Sequence, residues 1–390
     1  MKFSKLLDSP LYLVSVLTLI VLFVSGNSYL FEPKTFEPGG LEYTRYNNYV
    51  IFKQSFVHLI ENKDLYQLFP SDHWDLYKYS PTFAVLMFPF AQLPDALGLF
   101  CWNLLNSLIL FFALWRLPVV SRNTRYWMLG LVLIELITSL QNSQSNGLMA
   151  GLLIFAFIFL EKKKPALAAL MIVLTVFIKL FGLVALVLFL CYPERWKAML
   201  YALGWTLLFA FLPLLVVSWS QLELLYQSWF MLLQNDHIAS IGLSMAGWLY
   251  SWFGVAYSNL IVIIGAFLLC LPLLRYQYFK EYTYRAFFLS SVLIWVVIFN
   301  HKAESPTFVI AVSGIAIWYM SQRLNWLNLV LLSLALVFTV LSQTDLFPRG
   351  LQNAFVAPYV LKAVPCILIW VKISVDLLFF YPKLGLTSKQ

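Results

Sequence analysis

The chain has 390 residues, 61% of them hydrophobic and only 11% charged, with a formal net charge of +8. Soluble domains carry about 25% charged residues, so this composition excludes an ordinary soluble fold and points to an all-α polytopic membrane protein. The apolar runs are continuous rather than alternating, which excludes a transmembrane barrel. The basic residues fall in short clusters between those runs, which excludes nucleic acid as a partner.

In chain order, "MKFSKLLDSPLYLVSVLTLIVLFVSGNSY" has a basic start and a long apolar run with no small-x-small site after it, and reads as an uncleaved first span over 10–27. A polar, aromatic segment follows, 28–80. Within it, "YNNYVIFKQSFVHLI" places Tyr49, Phe52, Phe56, Leu59 and Ile60 at helical spacing, with Lys53, Gln54 and His58 between. That pattern predicts an amphipathic helix at the outer membrane surface. "PTFAVLMFPFAQLP", 81–94, is apolar but short and bounded by prolines, so it reads as a re-entrant or half-inserted helix. Eleven further spans are predicted near 97–116, 126–140, 146–161, 165–178, 180–192, 198–219, 257–275, 285–300, 307–321, 326–342 and 359–380, about twelve in all. They form one integral-membrane domain over 1–390. Cys101, Cys191, Cys270 and Cys366 lie in or beside apolar runs without CxxC spacing and read as packing residues, so neither a disulfide framework nor a metal is expected.

Short loops rich in Lys and Arg mark the cytoplasmic side. Lys2, Lys5, Arg116, Arg122, Arg125, Lys162, Lys163, Lys164, Arg195, Lys197, Arg275, Lys280, Arg285, Arg323, Lys383 and Lys389 all fall on one side if 81–94 does not cross. Both termini are then cytoplasmic. The opposite loops are 28–80, "QNSQSN" at 141–146, 220–256, "NHKAESP" at 300–306 and 343–358. No Gly-rich phosphate loop and no soluble domain is present to hold a nucleotide, and no other cofactor is indicated.

Three stretches together resemble glycosyltransferase family 87, enzymes of the GT-C fold that use polyprenol-phosphate sugars. "YVIFKQSFVHLIENKDLY" is similar to the family's helix and following turn, here Asn62 to Tyr66. "YKYSPTFAVLMFPFAQLPDALGLFCWNLLN" is similar to its "Y-x-Y-P-P" start and later Trp. "QNSQSNGLMAGLLIFAFIFLEKKKPALAALMIVLTVFIKLFGLVALVLFLCYPERWKA" is similar to its "G-Q-x-N", basic break and Lys-bearing span. The order of these motifs, over most of 45–200, carries the resemblance. It implies a GT-C bundle that moves a hexose, mannose-like, from a polyprenyl-phosphate donor to a lipid or glycan acceptor, at the outer face of a bacterial inner membrane.

The family's aspartate, its presumed base, falls at Asn47 or Asn48 here, and an amide accepts no proton at neutral pH. Either another carboxylate acts near the acceptor hydroxyl, or the reaction proceeds without deprotonation, or the chain is inert. Glu42, Asp72, Asp75 and Glu304 are the candidate carboxylates, and Glu304 shares its short loop with His301 and Lys302. Lys179 matches the family's lysine and is a candidate for the donor phosphate. Arg45 is a second, since a guanidinium suits bidentate phosphate contacts. Gln141, Gln144 and Asn146 offer amides for sugar hydroxyls or for helix caps. Glu135, inside an apolar run, needs a buried partner. These readings predict one cavity walled by 41–80, the amides of 141–146 and Lys179, and an Asn47→Asp change that is neutral or activating. The alternative is a non-catalytic binder or transporter of lipid-linked sugars.

Overall fold

The computed structural model describes residues 10–37, 39–235, 242–322 and 325–381. The orienting residues Lys2, Lys5, Arg323, Lys383 and Lys389 lie outside them. Among the described residues the fold is helical, as expected, apart from one antiparallel pair of two-residue strands, β1 (Lys34–Thr35) and β2 (Glu42–Tyr43), with Lys34 opposite Tyr43. Four helices among the described residues are long and apolar enough to cross a membrane, Pro10–Leu30, Asp95–Trp115, Arg195–Leu215 and Asn259–Tyr278. Shorter apolar helices fill most of the other predicted spans. The protein is an integral membrane protein.

Three helices form the centre: α7 (Asn146–Glu161), α13 (Tyr282–Ile298) and α14 (Phe308–Met320). They are apolar on all sides and almost wholly buried, the pattern of a helix enclosed by other helices. Around them stand α1 (Pro10–Leu30), α5 (Asp95–Trp115) and α6 (Arg122–Gln141), packed on one another. On the rim, α9 (Arg195–Phe211) and α12 (Asn259–Cys270) bury few side chains and expose Leu, Ile and Phe, as lipid-facing helices do.

One hairpin sets up the site. Helix α8 (Pro165–Ile178) runs to Lys179, whose extended backbone breaks it, and a 3₁₀ helix returns over Leu180–Cys191. Gly182 lies so close to Thr175 that a Cβ there would come within 2.2 Å of its hydroxyl, so only glycine lets the two arms meet. Lys179 therefore sits at the tip, as the sequence predicts.

Segment 81–94 forms two short helices, α3 (Pro81–Leu86) and α4 (Phe88–Ala91), capped at the start by Ser80. At about 1.5 Å per residue they reach about 16 Å, too short for the ~30 Å hydrocarbon layer. Helix α2 (Asn47–Ile60) forms where predicted. Its apolar face, however, covers protein rather than lipid: Phe52 meets Phe83 and Trp102 at 5.4 and 5.5 Å, and Phe56 meets Phe88 at 5.2 Å. Periodicity shows that a face is apolar but not what covers it. The stretch 220–256, read as loop, carries α10 (Trp219–Asn235) and α11 (Met245–Phe253). Interspersed Gln, Glu and Ser held its hydropathy below that of a span.

Candidate functional site

Helix α2 is the wall on which the site is built. Its first residue, Asn47, clamps the loop that follows: Nδ2 donates to the Trp74 carbonyl at 2.8 Å, and Trp74 N–H donates to Asn47 Oδ1 at 2.9 Å. The indole so held stacks on Phe36, with centroids 5.7 Å apart and planes 4° from parallel. Asp75 comes next, with φ of 72°, a left-handed conformation that Asp tolerates. Its Oδ1 accepts from Leu76 N–H at 2.7 Å, and its Oδ2 pairs with Lys78 at 3.2 Å. Farther along, α2 is fixed by Lys53 to Asp95 at 2.7 Å.

The second wall is the turn between α6 and α7. Ser143 takes φ of 51°, and its carbonyl accepts from the Trp102 indole at 2.9 Å. Asn48 Nδ2 donates to the Asn142 carbonyl at 2.9 Å, joining this turn to α2. Behind it, the Lys179 ammonium donates to Asn146 Oδ1 at 2.7 Å and to Gln144 Oε1 at 3.2 Å, and lies over Tyr79, 5.9 Å from the ring centre. The third wall is Glu304, at the start of the helical turn that enters α14. Among the described residues its carboxylate makes no ion pair.

Together these enclose a cavity of about 320 Å³, lined among others by Lys34, Arg45, Asn48, Trp74, Asp75, Tyr79, Gln144 and Glu304. A larger groove of about 680 Å³ adjoins it, lined by Val16, Leu19, Ile20, Phe23 and Phe31, with Gln141 at its edge. Lys34, Arg45 and Asn142 belong to both. A polar chamber thus opens sideways onto an apolar channel along α1, with two cations at the junction. Such a shape fits an amphipathic ligand with an anionic head group. Among the described residues, no group of three or more His, Cys, Asp and Glu side chains could hold a metal ion.

The predicted residues divide. Asp75, Glu304, Arg45, Asn47, Asn48 and Gln144 line the cavity, and Lys179 and Asn146 stand directly behind it. Glu42 does not: it lies exposed on β2. Asp72 does not either, because it is bonded to His58 Nε2 at 2.9 Å. Burial works to raise Asp72, but the hydrogen bonds from His58 and Ser71 outweigh it and hold the carboxyl below 3.8. Burial pushes His58 and His73 below 6.5. This cluster folds the loop that carries Trp74 and Asp75 rather than facing the chamber. His301 and Lys302 also fall outside the lining; His301 packs on Tyr257 at 5.4 Å. Glu135 has its partner, Lys362, at 2.7 Å, both side chains fully buried. Sequence reasoning missed Lys34, Trp74 and Tyr79. The signal available was a lone cation in "FEPKTFEP" and two aromatics flanking Asp75.

A family model described as glycosyltransferase family 87 matches residues 77–300. The chain belongs to glycosyltransferase family 87. The match takes in Tyr79, Gln144 and Lys179 of the candidate site, and leaves out helix α2, Arg45 and Glu304. No curated protein matches the sequence. Among solved structures, the fold is similar to a crystal structure of ArnT from Cupriavidus metallidurans bound to undecaprenyl phosphate. That likeness has 12% identity and a TM-score of 0.46 over 94% of this chain and 76% of that one.

Proposed function

We propose that this family 87 protein transfers a hexose, mannose-like, from a polyprenyl-phosphate donor to a hydroxyl of a lipid or glycan acceptor, in the chamber beneath helix α2. The observation that carries the reading is the junction of chamber and groove at Lys34 and Arg45. A prenyl chain fits the groove along α1. Its phosphate then meets two cations and the sugar enters the chamber, where the Asn48 and Gln144 amides and the Trp74 face offer contacts to hydroxyls and ring. Glu304 is the carboxylate best suited to act as base: both carboxylates accept from a backbone N–H of their own turn, Glu304 from Thr307 and Asp75 from Leu76, but Asp75 is also paired with Lys78. The leaving phosphate gains charge as the glycosidic bond breaks, and the exposed cations Lys34 and Arg45 offset it. Lys179, already bonded to two amides, is better placed to fix Gln144 and Asn146 than to grip phosphate.

The reading carries a topology: the chamber faces outward from a bacterial inner membrane, and both termini are cytoplasmic. One integral-membrane domain holds the whole site. Purified protein in vesicles, given a polyprenyl-phosphate sugar labelled in the sugar and a membrane-lipid extract, is expected to pass label to acceptor. The same sugar presented as a nucleotide diphosphate is expected to give no transfer. The asparagines at the family's aspartate position favour a second reading, a binder or transporter of lipid-linked sugar without chemistry. Tight donor binding with no transfer across a panel of sugars and acceptors would select it.

A further inference from the structure

A second and larger cavity, about 1070 Å³, lies at the other end of α7, around Glu161. That helix has 16 residues, so the two cavities are separated by about 24 Å along its axis. The floor of the second cavity is charge-balanced. Arg285 grips Glu161 through Nε at 2.6 Å and Nη2 at 2.7 Å, and Tyr192 donates to Glu161 at 2.6 Å. The rim is not balanced: Lys163, Arg195 and Lys280 line it against the single carboxylate of Glu194. None of these three cations is in an ion pair among the described residues. Large apolar groups flank them in the open, with Trp196 72% and Tyr276 73% exposed. Aromatic rings interleaved with cations mark the level of lipid head groups.

We infer that this cavity binds the head group of an anionic phospholipid from the adjacent leaflet, its phosphate on Lys163, Arg195 and Lys280 and its acyl chains leaving past Tyr276 and Trp196. Charge complementarity selects an anion, and the apolar rim selects one that carries acyl chains. Basic pockets between transmembrane helices take lipid phosphates in this way. The site is independent of the transfer chamber, so failure of either reading leaves the other standing.

The test is native mass spectrometry of the full-length protein in detergent, titrated with phosphatidylglycerol, with phosphatidylcholine and with soluble glycerol phosphate. Phosphatidylglycerol is expected to bind more tightly than phosphatidylcholine, and glycerol phosphate not to compete. The triple variant K163Q/R195Q/K280Q should weaken phosphatidylglycerol on the order of a hundredfold, and each single change about fivefold. K163R/K280R, which keeps the charge, should bind as the parent does. Should the triple variant fold poorly, the exposed single change K163Q decides alone. Equal binding of the two lipids, unchanged affinity in the glutamine variants, or displacement by glycerol phosphate would each overturn the assignment, the last in favour of a soluble anion.

Discussion

Two regions of this chain hold charge at membrane depth or beside it, and they treat it in opposite ways. Glu135 and Lys362 meet at 2.7 Å with neither side chain exposed, and the ammonium also donates to the Thr339 carbonyl at 2.8 Å. They cancel each other and join α6 to the C-terminal helices. In the chamber under α2, Glu304 stands on one wall and Lys34 and Arg45 on another, and no ion pair joins them among the described residues. Burying an unpaired charge is costly, so the buried pair is joined as a staple between helices, whereas Glu304, Lys34 and Arg45 are exposed and stand open to a charged ligand. An ionisable residue in an apolar run is therefore a candidate for either role, and its partner decides which.

The largest expected effect lies in the chamber. Glu304→Gln keeps the shape and removes the acceptor charge, and should lower transfer about 10²–10⁴-fold with expression intact, measured as turnover in vesicles. Asp75→Asn should lower it less than about tenfold. If Asp75→Asn costs more than Glu304→Gln, the two carboxylates have been given each other's roles.

The staple should respond in stability rather than in chemistry. Lys362→Met leaves a lone buried carboxylate and should destabilise the protein by about 3–5 kcal/mol, read as thermal unfolding in detergent. The double variant E135L/K362M should recover most of that loss. A single variant as stable as the parent would remove the distinction between stapled and available charge.

A smaller effect separates the two asparagines. Asn47→Asp loses the donor to the Trp74 carbonyl and sets a carboxylate against it, at a cost of about 1–3 kcal/mol. The neutral or activating outcome expected from sequence is thereby replaced by a loss of stability and of transfer. Asn48→Asp loses the matching donor to the Asn142 carbonyl, but that bond lies exposed whereas Asn47 is buried, so the carboxylate can stay hydrated and the cost should be smaller. Circular dichroism melts and turnover of both variants distinguish the two positions.

The smallest effect is in the loop behind Trp74. Burial holds His58 below 6.5, so the unfolded chain takes up protons before the folded one does. The stability this contributes is complete above about pH 6.5 and is lost as pH falls through that value toward the folded pKa. Asp72, held below 3.8, adds stability that is lost only lower still, as pH falls through its own folded value. Hydrogen exchange in 61–78, corrected for intrinsic rate, should accelerate from pH 7 to pH 5 while 146–161 does not change.

The helical fold was legible because its signal, long apolar runs cut by basic loops, is local. The turn at Lys179 and the short helices of 81–94 were legible for the same reason: a lysine in an apolar run and paired prolines leave few alternatives. The divisions within the site were not. Glu42, Asp72, Asp75 and Glu304 are equivalent as outer-loop carboxylates. Asp72 is set apart by His58, fourteen residues earlier, and Glu304 by a chamber whose other walls are more than a hundred residues away. Asn47 looked like a lost aspartate, and its hold on Trp74 required knowing where that backbone lies. Lys362 drew no notice in a long apolar run, although Glu135 needed such a partner.

The most direct test of the account is a structure of the protein with a bound polyprenyl phosphate. The account predicts phosphate density within hydrogen-bond reach of Lys34 and Arg45, with the prenyl chain along α1 past Phe31, Phe23 and Leu19. Phosphate seated on Lys179 behind the Gln144 and Asn146 amides, or a prenyl chain entering by any route other than this groove, would contradict it.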